Sequence, residues 1–173
     1  ITFEQIEAGG LNGWLEELTK ELREQTYRPE AVRRVWIPKP GSAKLRPLGV
    51  PRIKDRVTQM AAVLILEPIF EADMPDEQYG YRRGRSAHDA IRKIHGLLNQ
   101  GYRDVVDGDL SGYFDSIPHH ELMKSVARRV SDGTMLALIK AWLQMAVVED
   151  DGHGGQRRTT VARDSGRLAF FPD

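Results

Sequence analysis

Between Val105 and Leu122 the chain reads V-V-D-G-D-L-S-G-Y-F-D-S-I-P-H-H-E-L, and no other stretch restricts its fold as tightly. A short apolar run drops acids into a glycine-containing turn, which is how a strand presents carboxylates at its end. Side chains alternate along a strand, so Asp107 and Asp109 share one face of a strand predicted over 104–111, while Val106 and Leu110 share the other and need a core to cover them. Gly112 then lets a backbone approach a ligand closely, and the aromatic pair Tyr113-Phe114 follows. Asp115 reads as an acid near the start of the next helix, where the helix dipole favours negative charge.

Local signals elsewhere mark helices and a hairpin. Thr2-Phe3-Glu4-Gln5 has capping-box spacing, and Leu11, Trp14, Leu15, Leu18 and Leu22 recur at helical intervals, so 2–25 is predicted as an amphipathic helix with a break at Gly9-Gly10. Arg33 to Pro38 and Lys44 to Val50 read as strands joined by a turn at Pro40-Gly41-Ser42-Ala43, a β-hairpin with a basic tip. Val57, Met60, Ala61, Leu64 and Ile65 signal a helix after Pro51, and Ser86 with Asp89 starts another that Gly101 stops. Pro118 suits the first turn of a helix ended by Asp132-Gly133, and a further helix covers Thr134 to Val147. From Glu149 onward glycine and charge dominate, Asp151-Gly152 marks a turn and no periodicity is visible, so 151–173 is expected to be an irregular tail.

The 173 residues suffice for a normal core, as one domain or one domain plus part of another. The absence of cysteine excludes a disulfide framework and a thiolate zinc site, and no apolar run reaches the length of a membrane span. The reading is therefore an intracellular, cytoplasmic protein with no membrane partner. No signal-peptide pattern opens the chain, and the first residue, Ile1, suggests a fragment. A net charge of zero hides strong segregation: between residues 31 and 56 eight cations face the single anion Asp55, and between 79 and 103 six face Asp89. Acidic stretches at 1–30 and from Glu67 to Glu77 offset them. Such blocks point to a polyanion-binding face, although an ordinary solvated surface would use the same residues.

Three blocks carry a resemblance. D-L-x-x-Y-F-D from Asp109 to Asp115 resembles motif A of reverse transcriptases, and D-S-I-x-H-x-x-L from Asp115 to Leu122 resembles its group II intron form. I-P-K-P-G-S-A-K-L-R-P-L-G-V-P from Ile37 to Pro51 looks like the fingers hairpin of that family, and Y-G-Y-R-R-G-R-S-A-H-D-A-I from Tyr79 to Ile91 is similar to its F-G-F-R-x-G-R-S-x-H-D-A block. The blocks stand in the family's order, and the helical stretch before Tyr27 suits the segment that group II and related non-retroviral enzymes carry before the fingers. The resemblance implies an α/β (α+β) fold, helix-rich with a β-hairpin and a short palm sheet. Its N-terminal extension and fingers would cover 1–103, and a partial palm 104–150.

The resemblance also implies chemistry. Nucleotidyl transfer uses two divalent cations, Mg2+ or alternatively Mn2+, roughly 4 Å apart, and hard cations take oxygen ligands. Asp109 would then be the catalytic, metal-bridging carboxylate and the Leu110 carbonyl a backbone ligand, with Asp107 the rival on the same strand face. Lys39 and Arg46 match the family's phosphate-binding cations, and Lys44 could replace Lys39 because the loop length varies. Gly112, Tyr113 and Phe114 fall in the dNTP site. Phe114 matches the bulky side chain that stacks under the deoxyribose and excludes a 2′-hydroxyl, with core packing as the alternative. Arg33, Arg34, Lys44, Arg82, Arg83 and Arg85 are candidates for nucleic-acid contact, and Tyr79 and Tyr81 are either stacking surfaces or core. The partners implied are an RNA template, intron RNA in particular, a DNA primer and dNTP. His88, His119 and His120 lack a second ligand set and read as helix-start or surface residues.

The family pattern breaks off before its G-x-P-Q-G block and Y-x-D-D turn, since Leu168 to Asp173 depart from it. With one catalytic carboxylate and no thumb, these residues are not expected to hold both metals or to polymerise alone. Two functions stay open: part of an RNA-directed DNA polymerase whose full form copies RNA, or a non-catalytic, maturase-like module that binds structured RNA. A nucleotide cyclase or other palm-fold protein is a distant third, against which the I-P-K and R-P-L-G-V-P blocks argue. An incomplete palm sheet would also leave apolar surface uncovered near Val105 and Leu110, a setting for self-association.

Overall fold

The computed structural model describes residues 2–41, 43–110, 113–150 and 156–159, without the side chain of Asp115. Gly112, the acid at Asp115 and the Asp151-Gly152 turn lie outside the described residues. Helix α1 (Phe3–Arg23) starts where the spacing predicts: Thr2 Oγ1 accepts from the Gln5 N–H at 3.3 Å and Gln5 Oε1 accepts from the Thr2 N–H at 2.8 Å. Two donors that a helix start leaves orphaned are thereby satisfied. The break falls at Gly10, whose φ of +97° disfavours any side chain.

Strands β1 (Val32–Pro38) and β2 (Leu45–Val50) form the predicted hairpin, and α2 (Ile53–Glu71) follows it. Helix α3 (Ala87–Asn99) is capped reciprocally by Ser86 and Asp89, and Gly101 follows it at φ +96°. The hydrogen bonds from Ser86 hold the Asp89 carboxyl below the usual carboxylate range. A short α4 (Tyr113–Ser116) precedes α5 (His119–Ala127), α6 (Gly133–Leu143), β3 (Val147–Asp150) and β4 (Gln156–Thr159). No helix among the described residues is long and apolar enough to cross a membrane.

The structure departs from the sequence reading at four places. Asp132 opens α6 by accepting from the Met135 N–H at 2.6 Å, so Asp132-Gly133 starts a helix where a stop was expected. Val147 is not helical, and the expected irregular tail contains β4. Residues 104–110 are not a strand. A strand persists through hydrogen bonds to a neighbour, and the one sheet among the described residues, in the order β2-β1-β3-β4, does not include this segment. Val106 is accordingly 97% exposed, in line with the uncovered apolar surface expected near Val105 and Leu110.

Contacts group the chain into two units, Ile1–Ala62 with Gly112–Asp173, and Val63–Ser111. The first holds the sheet, in which β1 runs antiparallel to β2 and parallel to β3, and β3 antiparallel to β4. Its buried apolar residues are Ile6, Leu18, Tyr27, Val32, Ala62, Val130, Leu143, Met145 and Ala146. In the second unit no described residue is buried, and Ile91, Ile94 and Leu98 form an exposed stripe on α3.

At the centre of the first unit lies a polar network. Asp55, in the first turn of α2, is 1% exposed; its Oδ1 accepts from the Tyr27 hydroxyl at 2.5 Å and its Oδ2 from the Glu30 N–H at 3.2 Å. The Tyr27 oxygen in turn accepts from Trp142 Nε1 of α6 at 3.2 Å. Burial pushes the Tyr27 phenol well above its ordinary range, with the hydrogen bond to Asp55 adding to the rise. Burial also raises the Asp55 carboxyl, against the lowering effect of its hydrogen bonds.

Tyr27→Phe leaves an Asp55 oxygen and the Trp142 N–H without this partner, and is expected to cost about 2–3 kcal/mol in urea unfolding. Because the folded Asp55 value lies above the ordinary 3.8, its contribution is fully present below about pH 3.8 and is lost as pH rises through the raised folded value. The stability of the natural protein relative to Asp55→Asn should therefore fall from pH 4 to pH 7; a flat difference would remove Asp55 as a titrating group.

Candidate functional site

The hairpin register decides which cations meet. Ile37 pairs with Arg46 and Pro38 with Leu45, and the ribbon closes with the Lys39 N–H donating to the Lys44 carbonyl at 3.0 Å. With period-2 alternation, Arg33, Lys39, Lys44 and Arg46 lie on one face. Lys39 and Arg46 are diagonal neighbours on opposite arms, about 7–8 Å apart in such ribbons. Lys44 stands opposite Lys39, so the two alternatives left open by the sequence occupy adjoining places. Lys39, Lys44 and Arg33 are exposed and Arg46 is half-buried.

Arg34 falls on the other face. Its Nη1 lies 3.8 Å from Glu149 of β3, and the same carboxylate accepts from the Trp36 indole N–H. Arg157 of β4 stands opposite Glu149, and Arg158 opposite Val148. These two arginines were missed in the tail. A turn at Asp151-Gly152 between V-V-E-D and Q-R-R-T was the available signal, hidden because charge on both arms masks the alternation.

The second basic block is paired within its own unit. Arg82 is only 8% exposed in its side chain; its Nε donates to Glu71 at 2.7 Å and its Nη1 to the carbonyls of Pro75 at 2.7 Å and Gln78 at 3.5 Å. It thus holds the 72–86 loop together from inside. Arg83 lies 3.8 Å from Glu67, Arg85 3.5 Å from Asp76, and Lys93 3.6 Å from Glu77. The acidic stretch from Glu67 to Glu77 therefore neutralises this block locally. The Arg85 guanidinium carbon is 5.9 Å from the Tyr79 ring centre, and Tyr81 is exposed at φ +54°.

Asp107 and Asp109 are both exposed on the unpaired 104–110 segment. Carboxylate oxygens are the right donors for a hard divalent cation, yet no group of three or more His, Cys, Asp or Glu able to hold a metal is found among the described residues. The residues described do not make a metal site by themselves. In the first unit Tyr113 and Phe114 have ring centres 5.7 Å apart at 56°, and both are exposed, so Phe114 is not a buried core residue. His120 Nε2 lies 3.0 Å from Glu121 at the start of α5.

Residues 37–163 match the profile of the family described as reverse transcriptase (RNA-dependent DNA polymerase). The chain belongs to this family. It is 44% identical over 129 residues to Protein YkfC of Escherichia coli (strain K12), the match covering 72% of this chain and 34% of that protein. It is 36% identical over 136 residues to the group II intron-encoded protein LtrA of Lactococcus lactis subsp. cremoris, covering 79% of this chain and 22% of that one. With nuclear intron maturase 2, mitochondrial, of Arabidopsis thaliana it shares 34% over 110 residues, covering 64% and 15%. The reverse transcriptase is of the group II intron type, and the chain spans about a third or less of the length of these relatives. Among solved structures it is similar to a chain of a partial Cas6-RT-Cas1–Cas2 complex at a TM-score of 0.46 and 25% identity, covering 77% of this chain and 23% of that one.

Within this reverse transcriptase segment, the neighbouring arginines of the R-R-G-R block differ in what they hold. Arg82→Ala removes three hydrogen bonds from a largely enclosed guanidinium, one of them to a carboxylate, so the Val63–Ser111 unit should lose about 1–3 kcal/mol. Arg83→Ala breaks only an exposed pair and should change stability by less than about 0.5 kcal/mol. Amide hydrogen exchange in α3 compares the two; equal protection in both variants would contradict this assignment.

Proposed function

We propose that the chain is the fingers, to about residue 103, and the first part of the palm of a group II intron-type reverse transcriptase. The full protein would add deoxynucleotides to a primer 3′-hydroxyl on an RNA template. The hairpin register carries this reading, because it gathers Lys39, Lys44 and Arg46 on one face. Lys39 and Arg46 hold the triphosphate there, a mobile ammonium and a planar fork being suited to phosphate oxygens. Gly112, Tyr113 and Phe114 shape the sugar end of the dNTP site. Asp109, with the Leu110 carbonyl, is the ligand offered to a divalent cation, Mg2+ or Mn2+, with Asp107 the alternative. When bound, such a cation supplies positive charge to the phosphoryl oxygens. Arg33, Arg34 and Lys44 contact the nucleic-acid backbone, with Arg83 and Arg85 in the other unit. Among the described residues no group of three metal-type ligands gathers, and polymerisation is assigned to the full protein and not to this segment alone.

A second reading is favoured by the relatives named as intron maturases: the same cations would serve a module that binds structured RNA without catalysis. Primer extension and RNA binding by the full-length protein separate the two. Arg46→Ala should raise KM for dNTP at least tenfold, and Asp109→Asn should abolish extension while RNA affinity stays within about twofold, since no phosphate contact is lost. Asp107→Asn should be much milder. If Asp107→Asn proves the more damaging, the aspartates exchange roles; if no variant or natural form extends a primer while RNA binding is tight, the maturase-like reading stands instead.

Sugar choice tests Phe114 separately. A 2′-hydroxyl directed at its ring would lose its water partners, at roughly 1–3 kcal/mol, or about tenfold to a hundredfold in rate. Phe114→Val in the full-length enzyme should therefore raise ribonucleotide relative to deoxyribonucleotide kcat/KM by that factor. Single-nucleotide extension with matched dNTP and rNTP measures the ratio, and an unaltered ratio in an active variant would assign the selection to another residue.

A further inference from the structure

We propose that the sheet face opposite Lys39 and Arg46 is a stacking site for a base of single-stranded RNA, with Trp36 as its platform. The proposal rests on the reading that the protein binds RNA, and it adds a contact of a different kind on a different face. Alternation along β1 places Arg34 and Trp36 together, and the register sets Pro47 opposite Trp36. Trp36 is 46% exposed although its indole N–H is satisfied by Glu149 of β3. That hydrogen bond fixes the edge of the ring to the sheet and leaves its surface to solvent. The second Glu149 oxygen lies 3.8 Å from Arg34 Nη1, and the Arg34 guanidinium carbon lies 6.0 Å from the ring centre. Arg157, exposed, stands opposite Glu149 across β3 and β4.

One carboxylate therefore holds an aromatic ring beside the Arg34 guanidinium, the combination of π-surface and cation that takes a base and its adjoining phosphate. Charge selects the occupant: residues 31–50, which form the hairpin, contain no acid, so a polyanion with flat apolar bases complements this ribbon. The contact would be tolerant of sequence, because every base has a π-face.

The test uses the whole chain, a single-stranded octauridylate and, as a base-free polyanion, inorganic polyphosphate. Trp36→Ala should weaken octauridylate binding about tenfold, the value of one stacked base, and leave polyphosphate affinity within about twofold. The slope of log affinity against log salt should stay the same, since no cation is removed. Trp36→Phe should retain most of the affinity. Independently of any substitution, irradiation of the natural chain with a 5-bromouridine oligonucleotide should cross-link Trp36, located by peptide sequencing in the mass spectrometer. Unchanged octauridylate affinity in a folded Trp36→Ala protein, equal losses for both ligands, or cross-links confined to the Lys39–Arg46 face would overturn the proposal. Unchanged RNA affinity with reduced self-association in sedimentation would make this face a protein contact instead. Arg33→Ala and Lys44→Ala distinguish the two levels: if they weaken RNA binding and Trp36→Ala does not, only the stacking site falls; if none of the three matters, the RNA-binding reading falls as well.

Discussion

The buried contact of Tyr27, Asp55 and Trp142 is the constraint on which the sheet depends. Tyr27 precedes the start of β1 by five residues and Trp142 precedes the start of β3 by five, so one hydrogen-bonded junction aligns the approaches to both strands. Just beyond it the Val32 N–H donates to the Ala146 carbonyl at 2.8 Å, and the parallel β1–β3 pairing begins. A parallel pair cannot be closed by a tight turn, and here more than a hundred residues separate its strands, so loop closure opposes it. The junction offsets that cost by satisfying both Asp55 oxygens; a half-paired buried acid would be worse than an apolar core.

Register then determines chemistry. A slip of one residue in β1 would carry Lys39 away from the face of Arg46, and bring Arg34 and Trp36 onto it. The hairpin keeps two distinct sides, one with Lys39, Lys44 and Arg46 and one with an aromatic ring tied to Glu149. In the Val63–Ser111 unit the balance is different. There the cations of the R-R-G-R block meet Glu67, Glu71 and Asp76. Exposed pairs of this kind contribute about 0.2–1 kcal/mol and hold their partners only loosely. Arg82, enclosed by Glu71 and two carbonyls, does not share that freedom.

Legibility followed the range of the interactions involved. The α1 and α3 starts were readable because a capping box is completed within four residues, and the hairpin because its turn and both arms are contiguous. Asp132 was misread because an N-cap acid and a helix-ending turn look alike until the Met135 N–H is seen to donate to it. The β3–β4 pair was missed because its arms are charged, and its place in the sheet comes from Val32 and Arg33, far away in the chain. The 104–110 stretch shows the converse: its alternation is that of a strand, but alternation supplies no hydrogen-bond partner.

By itself, then, the sequence determined the family, the starts of α1 and α3, the hairpin and the residue types of the candidate site, all of which follow from neighbours along the chain. Tertiary structure decided which of those residues act together. It placed Lys39, Lys44 and Arg46 on one face, took Arg82 inward to hold a loop, and brought Glu149 beside Arg34 and Trp36, with Arg157 opposite Glu149. The physical reason is that cross-strand pairing and the neutralisation of charge both depend on distance in space, which the order of residues along the chain leaves open until the sheet has closed.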